Sequence, residues 1–315
     1  MPLRVAFFGT PGFAVPTLEQ LRHSPHPVVG VITQPDKPRG RGQQVSDGPV
    51  KSLALALGLP LLQPARLAQD QFAEQFAALH ADIGVVAAYG KILPDWLLAT
   101  PRLGLINVHA SLLPRYRGAS PIHRAVIAGD PETGVTIMRV VKALDAGPMI
   151  SATVVPIGPD DTTTDIEAQL ATRGAALLVG TLDQIDAGTA RETPQDESLV
   201  TYAPKLAKAE GRIDWSSPAA GVHNLIRGLW PWPHAFSHLG DVRYILHRSR
   251  RSPLATTAAP GTIVAASALE GLHVACGDGN AIELLDVQLE GKRVMSAREA
   301  MSARTLVAGA QFASL

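Results

Sequence analysis

The sequence predicts an α/β protein, a mostly parallel sheet covered by helices, followed by a smaller all-β domain. Three observations carry this reading. The first half of the chain alternates short unbroken apolar runs with helical patterns, as in Val5-Ala6-Phe7-Phe8 followed by Val15 to Leu21. Such runs lack the in–out alternation of a half-exposed strand and suit strands buried on both faces, the situation in a parallel sheet between helices. The character changes after about residue 190, where a polar run gives way to short strand-like segments separated by glycines. The length of 315 residues also exceeds what one domain usually holds.

Taken in order, Val5 to Phe8 is the first strand, Gly9-Thr10-Pro11-Gly12 ends it, and Val15 to Leu21 makes the first helix. This turn argues against a dinucleotide site: the Gly-x-Gly-x-x-Gly spacing is missing, and Pro11 removes a backbone donor that a pyrophosphate needs. Val28 to Ile32, Leu59 to Leu62, Ile83 to Ala87 and Leu103 to Val108 predict further strands. Helical patterns fall between them at Val50 to Leu57, Phe72 to Leu79 and Ile122 to Ala128. Thr136 to Val141 and Ile150 to Val155 predict a hairpin-type pair, and Thr163 to Ile185 a long helix capped by Asp160 or Asp161. The polar run Arg191 to Glu197 predicts a linker. The expected division is therefore a first domain over 1–190, a linker over 191–205 and a C-terminal domain over 206–315. In the last, Gly261 to Ala266, Leu272 to Cys276 and Ile282 to Leu289 are strand-like, and Gly277-Asp278-Gly279-Asn280 is a hairpin signal. Short strands with tight turns predict a small β-barrel.

Lys+Arg and Asp+Glu both number 28, so the formal net charge is +0. A protein that mainly grips nucleic acid is usually more basic, so contacts of that kind are expected only from local patches. Cys276 is the one cysteine and can form no internal disulfide, which suits a reducing compartment. Met1-Pro2-Leu3-Arg4 enters a strand-like segment without a basic stretch and apolar targeting region. No apolar run reaches bilayer length. A cytoplasmic protein without membrane contact is expected. The 10 histidines do not fall at ligand spacings and one thiol cannot make a thiolate cluster, so no metal is expected.

The most informative residues are Asn107, His109 and Asp145, in Leu105-Ile106-Asn107-Val108-His109 and Leu144-Asp145-Ala146-Gly147. Side chains two apart on a strand share a face. A carboxamide and an imidazole thus emerge side by side at the end of an apolar strand. They form a pair of donors suited to a carbonyl oxygen that turns negative during acyl transfer. A carboxylate aimed at that pair holds the imidazole in one tautomer and favours its charged form.

Asn-x-His followed by Ser111-Leu112-Leu113-Pro114, with a distal Leu144-Asp145-x-Gly147, resembles the folate-dependent formyltransferase family. The resemblance implies a Rossmann-like, mostly parallel formyltransferase domain with an OB-like C-terminal β-barrel. It implies formyl transfer from 10-formyltetrahydrofolate, with Asn107 and His109 as donors to the formyl oxygen. Asp145 would orient His109, raise its pKa and pass a proton from the attacking amine to the leaving N10. Ser111, Leu112, Leu113 and Pro114 would contact folate, and Tyr89-Gly90-Lys91-Ile92-Leu93-Pro94 would line the same cleft. Within the family, Gln34 to Gln44 and Thr201 to Trp215 match the branch that formylates methionyl initiator tRNA. That match makes Lys37, Arg39, Arg41 and Lys205 expected tRNA contacts. A monomer is expected, though the sequence carries no mark of oligomeric state. From Leu206 onward there are 11 Lys+Arg against 9 Asp+Glu. Contacts beyond the loop are thus expected at Arg243, Arg248, Arg250, Arg251 and Lys292-Arg293. The chain departs from the family pattern at Val141, Ala143 and His234. An amino-sugar nucleotide formyltransferase and a non-catalytic RNA-binding module are the competing readings, and a formyl-transfer assay separates them.

Overall fold

In a computed structural model, which describes residues 2–36, 38–39, 44–68, 70–302 and 306–313, the chain forms two compact units. Unit 1 comprises Met1–Gly118, Thr133–Val155 and Glu167–Tyr202; unit 2 comprises Ala119–Glu132, Pro156–Ile166 and Ala203–Leu315. Strands up to residue 203 are β1 (Val5–Gly9), β2 (Val28–Ile32), β3 (Pro38–Arg39), β4 (Gln44–Val45), β5 (Leu61–Leu62), β6 (Ile83–Ala87), β7 (Leu105–His109), β8 (Arg117–Gly118), β9 (Glu132–Arg139), β10 (Met149–Pro156) and β11 (Tyr202–Ala203). The helices among them are α1 (Val15–Arg22), α2 (Pro49–Ala56), α3 (Asp70–Ala77), α4 (Asp95–Ala99), α5 (Pro121–Ala128) and α6 (Thr163–Asp186).

The main sheet runs β10-β9-β7-β6-β1-β2-β5. β1 lies between β2 and β6 and is parallel to both, and Val86 of β6 pairs with Asn107 of β7, again parallel. Every residue of β1 is buried, as its unbroken apolar run requires. β9 runs antiparallel to β7 and sets Thr136 opposite His109. The expected hairpin-type pair therefore forms the edge of this sheet. Below it Phe8, Phe76 and Tyr89 pack ring to ring, with Phe8 5.7 Å from Phe76 and 5.5 Å from Tyr89.

The cap of α6 differs from the expected Asp160 or Asp161. Thr162 Oγ1 accepts from the Asp165 N–H at 3.4 Å and Asp165 Oδ2 accepts from the Thr162 N–H at 2.9 Å. This reciprocal arrangement satisfies two amides at the helix start, while Asp161 instead accepts from the Gly158 N–H at 2.7 Å.

Unit 2 holds α7 (Ala219–Gly228), α8 (Ala297–Ser302) and β12 (Ala235–Leu239), β13 (Val242–Ala255), β14 (Ile263–Ser267), β15 (Gly271–Ala275), β16 (Asn280–Leu289) and β17 (Met295–Ser296). The strands pair antiparallel in the order β12-β13-β16-β15-β14, with β17 on β16, a pattern compatible with an OB-like barrel. Residues 276–279 make the tight turn between β15 and β16 that the glycine pair indicated. Trp215 stacks on Phe312 at 5.5 Å in the core and donates from Nε1 to Ser237 Oγ at 3.0 Å. α5 belongs to this unit, because a Cβ on Gly228 of α7 would lie 2.5 Å from Ile127 Cγ1. The units therefore interleave along the chain. Cutting it near residue 194 would strip α5 of its α7 partner, so no single cut separates the units.

Candidate active site

Asn107 and His109 end β7 on one face of the strand, as their spacing requires. His109 is buried, 5% exposed, and lies between two partners. Its Nε2 is 3.1 Å from the Tyr116 carbonyl oxygen, and its Nδ1 is 3.8 Å from Asp145 Oδ2. A carbonyl only accepts, so Nε2 carries the proton and donates to Tyr116. Nδ1 therefore faces the carboxylate, and charging the ring places its second N–H toward Asp145. Two of the three expected catalytic side chains are thus in direct electrostatic contact, and the third shares the strand face.

The loops around His109 hold less common backbone. Tyr116 has φ 62° and Asp145 has φ 47°, both left-handed conformations that non-glycine residues adopt rarely. These two residues carry the groups that face His109, and strain of this kind concentrates where surroundings over-determine geometry. Oδ2 of Asp145 accepts from the Gly118 N–H at 2.8 Å. The Tyr116 N–H donates to Thr201 Oγ1 at 2.9 Å and the Arg117 N–H to the Thr201 carbonyl at 2.9 Å. Thr136, opposite His109, fixes the turn after β7: its hydroxyl donates to the Ser111 carbonyl at 2.7 Å and accepts from the Leu113 N–H at 3.2 Å.

The residues expected to contact folate divide. The Ser111 hydroxyl is buried and donates to the Arg115 carbonyl at 2.7 Å, so it serves the turn. Leu113 is buried, while Leu112 and Pro114 are partly exposed. The Tyr89 ring is 1% exposed and packs in the core, where burial pushes its hydroxyl up to about 12. Tyr89 therefore offers a ligand only backbone, and its carbonyl already accepts from Gln34 Nε2 at 2.7 Å. Gly90 has φ 74° and a Cβ there would lie 3.0 Å from that same nitrogen. Lys91, Ile92 and Pro94 line a cleft of about 350 Å³ with Arg66 and Leu67, and none of Asn107, His109 and Asp145 is in its lining.

Among the expected tRNA contacts, Lys37 and Arg41 lie outside the described residues. For Arg39 the backbone alone is described, paired antiparallel with Gln44. Lys205 is exposed. In unit 2 three of the arginines of β13 have acidic partners: Arg243 with Glu290 at 2.8 Å, Arg248 with Asp286 at 3.6 Å and Arg250 with Glu283 at 2.6 Å. Arg293 pairs with Glu299 at 2.8 Å. Most of the positive charge expected to concentrate there is thus neutralised locally. Among the described residues no helix is long and apolar enough to cross a membrane.

Burial pushes the His109 imidazole below its ordinary value, against the upward pull of the Asp145 carboxylate and the Tyr116 carbonyl. The expected influence of Asp145 is present but outweighed by desolvation. Burial likewise lowers His123, helped by the neighbouring Arg124 charge, as well as His223 and His234. The unfolded chain takes up protons at these sites near the ordinary imidazole value of 6.5, and the folded chain only at lower pH. Their contribution to stability is therefore complete above that value and is lost as pH falls through the folded values. The urea midpoint is expected to fall between about pH 7.5 and about pH 5.5, before most carboxylates titrate. A flat midpoint across that window would contradict the burial of neutral histidines.

Residues 3–182 match the family model described as formyl transferase, and residues 205–305 the one described as formyl transferase, C-terminal domain. The chain belongs to the formyltransferase family. The methionyl-tRNA formyltransferase of Methylococcus capsulatus is 48% identical over 305 residues, 96% of this chain and 98% of that protein. That of Roseobacter denitrificans is 46% identical over 310 residues, 98% and 99% of the two chains. Among solved structures, the N-formyltransferase of Helicobacter canadensis in complex with folinic acid and dTDP-3-aminofucose superposes with a TM-score of 0.67. It covers 90% of this chain and 98% of its own at 17% identity, a likeness of fold alone.

Three contributors to the site escaped sequence reasoning: Thr136, Gln195 and the Tyr116 carbonyl. Thr136 sits in an ordinary strand pattern, and a backbone carbonyl has no signature. Gln195 lies in a polar run whose composition is that of a solvated segment.

Proposed function

We propose that this protein transfers the formyl group of 10-formyltetrahydrofolate to the α-amino group of methionyl initiator tRNA, as a monomer in the cytoplasm. The observation that carries the chemistry is His109, held between the Asp145 carboxylate and the Tyr116 carbonyl at the end of the strand that also bears Asn107. The near full-length similarity to methionyl-tRNA formyltransferases supports the choice of acceptor. All three side chains come from unit 1 of one chain, which supports a site complete in a monomer.

The amine nitrogen attacks the formyl carbon and a tetrahedral intermediate with a negative oxygen forms. Asn107 Nδ2 and the Nε2–H of His109 donate to that oxygen. The Tyr116 carbonyl and the developing oxyanion compete for one hydrogen, and the charged oxygen is the stronger acceptor. A proton leaves the amine and reaches N10 as the carbon–N10 bond breaks, with Asp145 as the relay directly or through water. The step requires no metal. Folate contacts are assigned to Leu112, Leu113, Pro114 and the backbone of Tyr89, Gly90 and Ser111.

Residues 1–190 carry the chemistry in this reading and 206–315 help to hold tRNA, with Lys37, Arg39, Arg41 and Lys205 as the near contacts. Arg41→Ala is expected to raise the KM for methionyl-tRNA about tenfold, the size of one lost charge-assisted contact of ~1.5 kcal/mol. The KM for the formyl donor should stay near its original value. Equal loss of both would make the loop a support of the catalytic fold. The salt dependence of activity on tRNA should be shallow, since the arginines of unit 2 are largely paired. The proposal itself is tested by offering formyl donor with methionyl-tRNA and, separately, with an amino-sugar nucleotide. Formyl found only on the tRNA supports it, and formyl found only on the sugar overturns it.

A further inference from the structure

We infer that Gln195 is a positioning residue of this site: its side-chain amide fixes the loop that carries Asp145 and so sets the carboxylate opposite His109. The inference rests on the formyl-transfer reading above and deepens it. The run Arg191 to Glu197 was expected to be a solvated linker, yet Gln195 is only 9% exposed. Its Nε2 donates to the Asp145 carbonyl and to the Gly147 carbonyl, both at 2.8 Å. Its Oε1 accepts from Arg117 Nε at 3.0 Å and from Arg117 Nη2 at 2.8 Å. An amide has two N–H donors and an oxygen with two lone pairs, and here all four are used. The assignment of oxygen and nitrogen is fixed by the partners, since carbonyls only accept and guanidinium only donates.

Arg117 is itself 3% exposed and is anchored by Glu197, which accepts from Nη2 at 2.8 Å. The next residue, Gly118, donates its N–H to Asp145 Oδ2. One short assembly thus grips Asp145 from two sides, its carboxylate through Gly118 and its backbone through Gln195. The grip matters because Asp145 stands at φ 47°. A non-glycine residue keeps such a conformation only when its surroundings hold it. Without the amide, the Asp145 and Gly147 carbonyls lose these donors, the second of them buried, and the loop relaxes toward an ordinary φ. The carboxylate then moves from its 3.8 Å approach to His109. A Gln195 that merely filled space would have no specific link to Asp145.

That link is what the test reads. Gln195→Met keeps length and adds no charge, while Gln195→Glu keeps the acceptor for Arg117 and loses the donors. The His109 ring is followed by NMR titration in the full-length protein, and formyl transfer by steady-state kinetics. In Gln195→Met the His109 midpoint is expected below that of the parent, because the carboxylate that favours the charged ring has moved. Turnover is expected to drop about tenfold to a hundredfold in both variants, as for a small misplacement of a catalytic group. Both KM values should stay within about twofold of the parent, since binding is not what is lost. In an Asp145→Asn background the same substitution should change neither the midpoint nor turnover further. An unchanged midpoint in a folded variant, or losses that add in the double variant, would overturn the inference. So would failure of both variants to fold, which makes Gln195 structural. A parent protein without formyl transfer would strike the functional reading alone, because the titration needs no turnover.

Discussion

Replacing Asn107 or His109 by alanine is expected to lower formyl-transfer turnover at least about 10²–10³-fold, the cost of one preorganised oxyanion donor. The reason is geometric. Residues 107 and 109 share one face of β7, and in the proposed mechanism the oxyanion forms between their two donors. Asp145→Asn tests the third member differently. It keeps the shape and the acceptor for the Gly118 N–H but removes the charge facing His109 Nδ1 at 3.8 Å. Turnover should fall and its pH dependence should move to lower pH, because the ring loses the group that favours its charged form. Circular dichroism and the urea midpoint check that each variant is folded. Near-parental turnover in a folded His109→Ala protein would remove His109 from the chemistry.

Gly147→Ala is expected to have the second largest effect, although the residue has no functional group. A Cβ on Gly147 would lie 1.9 Å from the Arg139 carbonyl oxygen and 2.8 Å from its carbonyl carbon. Both are backbone atoms at the end of β9, and no side-chain rotation relieves the overlap. The loop must shift, and Asp145 shifts with it while its Gln195 bonds at 145 and 147 are pulled apart. A displacement of about 1 Å at a catalytic group costs about 10² in rate, and the forced fit costs about 1–3 kcal/mol of stability. Gly180→Ala in α6 is the matched control. Nothing lies within 4 Å of a Cβ there, so the helix should gain up to about 1 kcal/mol. Parental activity and stability in Gly147→Ala would show that Asp145 is not held as described.

What could be read from the chain follows from which interactions leave periodic traces. The buried strands were legible because burial on both faces demands an unbroken apolar run, as in Val5 to Phe8 and Ile83 to Ala87. α6 was legible because twenty-odd residues of helical pattern are hard to mistake, though its cap, Thr162, lay one residue past the expected aspartates. β13 was missed. Its alternating arginines pair with acids on β16, so a strand of 14 residues reads as a polar stretch. In the site, the spacing of Asn107 and His109 placed them on one strand face, while their expected roles, and that of Asp145, came from the family resemblance of the surrounding string. The details that set their geometry were not. Ser111 was expected at the ligand, yet its hydroxyl closes its own turn. Tyr89 was expected to line the cleft, yet its ring fills the core. Gln195 was passed over as linker, because a polar residue that bonds backbone 50 positions away leaves no local pattern.

The central claim is that Asn107 and His109 meet the formyl oxygen. A crystal structure of the full-length protein with a stable formyl-folate analogue tests it most directly. The formyl oxygen should lie about 2.7–3.1 Å from Asn107 Nδ2 and His109 Nε2, with the His109 bond to the Tyr116 carbonyl lengthened or shared. A formyl group seated instead in the cleft of Arg66, Lys91 and Ile92, out of reach of both donors, would contradict the account.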